Sequence, residues 1–94
     1  MLHVMAIIQV QPEHLSTVSS AMTALAAKSR AEPGCVRYEL FQRRGEPVLV
    51  TQESWADAAA EAAHMSGPNI AAAFAAVGKL LAAAPEIHHY SQLA

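Results

Sequence analysis

The stretch Glu32-Pro-Gly-Cys-Val-Arg-Tyr-Glu-Leu40 constrains this chain more than any other. Pro33 lacks the N–H that a helix interior needs, and its ring clashes with the preceding turn. Gly34 lets the backbone reverse direction. From Cys35 the residues change to Val, Tyr and, just beyond, Phe41, which is a strand composition. A helix must stop before this stretch and a strand must begin inside it.

Upstream, Leu2 to Gln11 reads as a first strand. Leu2, Val4, Ala6, Ile8 and Val10 share one face, and Met5 and Ile7 lie on the other. A strand that is apolar on both faces belongs in the middle of a sheet, covered on both sides. Pro12 suits the first position of a helix, where its missing N–H costs nothing. Glu13 complements the positive helix start, and Lys28 and Arg30 sit near the negative end. Leu15, Val18, Met22, Leu25 and Ser29 recur at spacings of three and four, so the expected helix spans residues 12–32.

Downstream, Cys35 to Arg43 is the second strand. Arg37, Glu39 and Arg43 load one face with charge, as on an edge strand protected against further pairing. Arg44-Gly-Glu-Pro47 is a turn. Val48 to Trp55 is a third strand, apolar on both faces at Val48-Leu49-Val50 and therefore central. Asp57 can cap a short helix through Ala58 to Met65, which Ser66-Gly-Pro68 breaks. A further helix is expected over residues 69–84, with Ile70, Phe74, Val77 and Leu81 on one stripe and Pro85 as its stop. Glu86 to Leu93 completes the set as a polar edge strand carrying His88, His89 and Gln92. The order β-α-β-β-α-β predicts an α+β, ferredoxin-like antiparallel sheet, with strands one and three central and two and four at the edges.

With 94 residues, the natural reading is one domain over 1–94. The helices suffice to cover one sheet face. A composition of 53% hydrophobic and 15% charged residues leaves apolar surface for something else to cover. A second copy of the chain is the economical cover, so a homodimer is expected. A formal net charge of -2 and the lack of a basic patch argue against nucleic acid as a partner. No uncharged apolar run reaches membrane-spanning length. No signal peptide is read, and a single cysteine fits a reducing compartment, so a cytoplasmic location is expected.

Several residues can carry chemistry. Trp55 is the only tryptophan; it suits a core anchor at the end of a central strand, or an indole N–H donor into a pocket. His64 brings an imidazole, a residue type suited to act as a base, but Glu61 three residues earlier is a local pairing partner. Glu53 shares the face of Trp55 and, among apolar neighbours, needs a salt bridge or hydrogen bond, with an arginine as one candidate partner. Tyr38 reads as core or interface, with a hydroxyl that can reach a pocket. Cys35 reads as a small hydrophobe. His88 and His89 point to opposite faces of a strand, and no metal site is expected.

Taken together, Glu32-Pro-Gly-Cys-x-x-Tyr38, Glu53-x-Trp55 and Ala62-x-His64 resemble the antibiotic biosynthesis monooxygenase (ABM) family, including its quinol-monooxygenase-like members. The resemblance covers nearly the whole chain. It implies a dimeric α+β barrel in which two sheets pack face to face. It also implies cofactor-independent oxidation of a small aromatic quinol or phenol by O2. On this resemblance Trp55 lines the cavity as a donor and His64 faces it as the base. Tyr38 and Glu53 belong to the pocket, and Phe74 with Val77 forms its apolar wall. Two departures stand out. Quinone-forming members add an asparagine before this tryptophan, where Thr51 and Gln52 stand here. Haem-cleaving relatives use an asparagine on the first strand, and this one has none. The alternative is a non-catalytic or isomerising small-molecule binder on the same scaffold, since fold alone does not decide function.

Overall fold

Alternating burial along Leu2–Gln9 makes that segment the central strand β1, with Val4, Ala6 and Ile8 inward. The structure is a computed structural model and describes residues 1–94. After one 3₁₀ turn at Pro12–His14 come α1 (Leu15–Arg30), β2 (Cys35–Gln42) and β3 (Val48–Trp55). Then follow α2 (Ala58–Met65), α3 (Pro68–Val77) and β4 (Glu86–Tyr90). The sheet order is β2-β3-β1-β4 and every pairing is antiparallel. The expected ferredoxin-like α+β fold is therefore present, with strands one and three in the middle.

The helices cover one face of the sheet. Val18, Met22 and Leu25 of α1 and Val77 of α3 pack on Ile8, Val10 and Leu49. A second, smaller cluster joins Val4, Ala26, Tyr38 and Trp55. On the opposite face, register aligns Ile7 with Val50 and Val50 with Phe41. Phe41 and Tyr90 on that face are 46% and 48% exposed.

Strands one and two end slightly early, at Gln9 and Gln42, and three other elements also differ from expectation at their ends. The helix expected over 12–32 begins as a 3₁₀ turn and ends at Arg30. The last strand stops at Tyr90 rather than Leu93. The helix expected to reach residue 84 ends at Val77, tightens into a 3₁₀ turn over Gly78–Leu80, and releases Leu81 to bridge Val10. Glycine is a poor helix former, and the released chain satisfies backbone groups past the end of β1. Leu80 O accepts from Gln11 N–H at 3.1 Å, and Gln9 O accepts from Ala82 N–H at 2.9 Å. Leu81 therefore belongs to the sheet edge and not to the helical stripe.

The Pro33-Gly34 turn docks directly on α2. Gly34 has φ of +80°, and a Cβ there would lie 2.5 Å from the Ala60 Cβ. Its carbonyl accepts from Ala56 N–H at 2.8 Å. Gly45 also has a positive φ, of +76°, but faces open space. Gly45→Ala should therefore cost only the left-handed conformational penalty, ~1 kcal/mol. Gly34→Ala adds a steric shift of α2 and should cost ~1–3 kcal/mol more. Denaturant midpoints of the two variants measure that difference.

Candidate active site

The site grows from the end of β3, where alternate residues Thr51, Glu53 and Trp55 point under the helices. The β1–β3 ladder is interrupted opposite Ala6, and the Thr51 hydroxyl accepts the Ala6 N–H at 2.9 Å in place of a backbone carbonyl. The same hydroxyl donates to Glu53 Oε2 at 2.6 Å. Trp55 Nε1–H donates to Glu53 Oε1 at 3.0 Å. Each oxygen of a carboxylate that is 6% exposed thus has a neutral donor, as burial of such a group requires. The partner is not an arginine. The indole N–H expected to point at a ligand instead holds Glu53.

Trp55 is fully buried and stacks against His64, with ring centroids 4.7 Å apart and planes 33° from parallel. Asp57 caps α2 by accepting Ala60 N–H at 2.8 Å, and that cap sets the turn of helix that presents His64 inward. His64 is 2% exposed. Its local candidate partner, Glu61, lies instead against His89 of β4, at 3.4 Å. His64 Nδ1 is 2.9 Å from Glu32 Oε1, on the turn that opens β2. Asn69 Nδ2, on α3, donates to the other oxygen of Glu32 at 2.9 Å. Glu32 was not among the candidate site residues, because its contact with His64 spans 32 positions of sequence. The signal for it was the dense Pro-Gly turn that follows.

Tyr38 completes the cluster. Its ring centroid is 5.5 Å from that of His64 and 6.4 Å from that of Trp55. Burial pushes its phenol above the ordinary value, and the Glu53 carboxylate pushes it further. The Ser29 hydroxyl, buried without a hydrogen bond of ordinary geometry, lies near enough to oppose that rise in part. Tyr38 is therefore a neutral donor at physiological pH. The Cys35 thiol is also raised, chiefly by burial and then by Glu32 and Glu53, so it stays protonated and a poor nucleophile.

Tyr38, Thr51, Glu53 and His64 line a narrow crevice of about 20 Å³ between sheet and helices. Its apolar side includes Met65, Ile70, Phe74 and Ile87, and the same four side chains line a surface hollow of about 370 Å³. The structure thus brings Tyr38, Glu53, His64 and Phe74 to one crevice. Trp55 stands behind His64 and Glu53, and Val77 is packed into the main core, so neither lines the crevice.

The phenol of Tyr38 gives a pH prediction. Its folded value lies above the ordinary 10.0, so as pH rises the unfolded chain loses this proton first. The stabilising contribution is intact below pH 10 and disappears as pH climbs toward the folded value. Stability should fall above about pH 10, by up to ~1.4 kcal/mol per pH unit. Tyr38→Phe should remove that part of the slope in alkaline denaturant titrations.

The antibiotic biosynthesis monooxygenase family matches residues 1–76. A Bacillus subtilis (strain 168) protein named "Putative monooxygenase YcnE" is 38% identical over an alignment of 91 residues, with 90% of each chain covered. A crystal structure of an antibiotic biosynthesis monooxygenase superposes with a TM-score of 0.93 at 25% identity, covering 100% of both chains. The structure of PA3566 from Pseudomonas aeruginosa gives 0.90 at 31% identity, covering 99% of this chain and 94% of that one. By the extent of these matches and the fold they share, this chain belongs to the antibiotic biosynthesis monooxygenase family.

Proposed function

We propose that this protein is a cofactor-independent monooxygenase that oxidises a small aromatic quinol or phenol with O2. The observation that carries the reading is the buried crevice where His64, Tyr38 and Glu53 meet beneath an apolar mouth. His64 is the base and takes the phenolic proton. Tyr38, held neutral, donates to the oxygen that becomes negative. Trp55 acts through the residues it holds rather than on the substrate.

The chemistry balances without a further reductant. The substrate anion passes one electron to O2, and the radical and superoxide combine into a peroxide. The O–O bond then breaks, one oxygen remaining as a new carbonyl and the other leaving as water. The proton taken by His64 and the proton lost from the oxidised ring carbon both end on that departing oxygen, which makes the water. A ring CH2 or CH carbon supplies the electrons, so anthrones and hydroquinone-type phenols are the substrate class.

A volume of about 20 Å³ holds about one water molecule, whereas aromatic ligands occupy sites of roughly 300 Å³ or more. The ring therefore sits in the outer hollow, and its hydroxyl reaches inward past Met65 and Phe74. Phe74→Trp should narrow that passage and raise KM several-fold with little change in folding. Oxygen uptake under air with a panel of such phenols tests the reading, and no uptake with any of them counts against it.

The half-covered sheet face supports a homodimer with sheet packed on sheet. Sedimentation at micromolar concentration should show a dimer. A folded monomer there contradicts it.

A further inference from the structure

We infer that Glu32 is the positioning residue of this site, fixing the His64 proton on Nδ1 so that Nε2 meets the substrate as a free base. The inference rests on the function proposed above but makes its own claim about this chain. An ionised carboxylate only accepts hydrogen bonds, so at 2.9 Å from Glu32 Oε1 the His64 Nδ1 must be the donor. A neutral imidazole with its proton on Nδ1 carries its lone pair on Nε2.

Three features make the tautomer matter. His64 is 2% exposed and stacked on Trp55, so packing holds its ring in one orientation and gives its two nitrogens different surroundings. Glu32 is itself held, because Asn69 on another helix donates to its second oxygen at 2.9 Å. His64 also forms a wall between two spaces. It borders the inner crevice with Tyr38 and Glu53, and an outer cleft of about 580 Å³ with Glu32 and Asn69. Glu32 borders only the outer cleft. Its carboxylate therefore engages the Nδ1 edge from outside and leaves the other edge for the crevice. Once His64 has taken a proton, the same carboxylate faces the imidazolium and stabilises it until the proton returns to the departing oxygen.

The test needs no substrate for its first arm. With the histidine imidazoles labelled with ¹⁵N, long-range ¹H–¹⁵N correlation reads the tautomer of His64, assigned by its loss in His64→Gln. In wild type near neutral pH, or above the pH where the ring takes up a proton, Nδ1 should carry the proton and Nε2 should show the shift of an unprotonated nitrogen. In Glu32→Gln the new amide oxygen faces the Asn69 donor and the amide N–H faces Nδ1. The proton should therefore move to Nε2. With an oxidised substrate, Glu32→Gln should lower kcat by roughly 10²-fold or more with KM nearly unchanged, and Glu32→Asp should restore part of it. A wild-type His64 protonated on Nε2 would overturn the inference, and that spectrum needs no variant to fold. An unchanged tautomer or kcat in a folded Glu32→Gln would also overturn it. If wild type oxidises no phenol while His64 shows the expected tautomer and switch, the proposed reaction fails and the role of Glu32 stands.

Discussion

His64→Ala should reduce turnover by ~10²–10⁴-fold, the range for loss of a general base. The loss should appear in kcat, because the apolar hollow proposed to receive the ring is untouched. Folding will also be affected, since the imidazole is buried and stacked rather than lying on an exposed helix face. Removing it leaves one oxygen of Glu32 without its partner, at ~1–3 kcal/mol if water cannot replace it. The Glu32 side chain is 18% exposed, so water can in part. His64→Gln separates the two effects. Its amide can still donate toward Glu32, which preserves folding, but it has no basic nitrogen. Both variants should therefore be slow, and only the alanine variant should be clearly less stable. Turnover of His64→Gln at the wild-type rate would remove His64 from the mechanism.

Trp55→Ala should be the most destabilising single truncation in the chain. Trp55 heads the fully buried side chains by volume, and such a deletion costs ~3–5 kcal/mol. The Glu53 carboxylate loses one of its two donors as well, adding ~1–3 kcal/mol. Against a total stability of roughly 5–15 kcal/mol for a domain, the variant should melt roughly 15 °C or more below wild type. Far-UV circular dichroism should follow the transition, because the only tryptophan is gone. Trp55→Phe keeps most of the volume and the stack on His64 but removes the N–H. It should be milder in stability and should impair turnover through a displaced Glu53. A Trp55→Ala variant melting within a few degrees of wild type would contradict this packing.

The fold was legible because burial and charge were written with strand periodicity. Val4, Ala6 and Ile8 against Met5 and Ile7 mark β1 as central, and Arg37 with Glu39 marks β2 as an edge. Helix ends were less legible, since Gly78 had to be weighed against an alanine run that favours continuation. Of the candidate site residues, Tyr38, Glu53, His64 and Phe74 reach one crevice, whereas Trp55 and Val77 do not line it and Glu32 was not legible at all as a site residue. Glu53 and Trp55 share a face by parity, but parity does not show that the indole N–H turns back to the carboxylate two residues away. Val77 and Phe74 lie on one stripe, yet one is core and the other borders the crevice. The pairing of His64 followed local spacing to Glu61, whereas tertiary contact brought Glu32 from the other side of the sheet turn.

The most direct test is an anaerobic titration of an anthrone or hydroxynaphthalene, followed in the visible and near-ultraviolet. With oxygen excluded, the proposed first chemical event is isolated: transfer of the phenolic or enolic proton to His64 beside Tyr38. Wild type should show the spectrum of the bound anion at a pH well below the free compound's own pKa, and His64→Gln should bind the compound without that spectrum. A compound that binds wild type but stays neutral, or that ionises equally on His64→Gln, would contradict proton abstraction by His64 in this crevice.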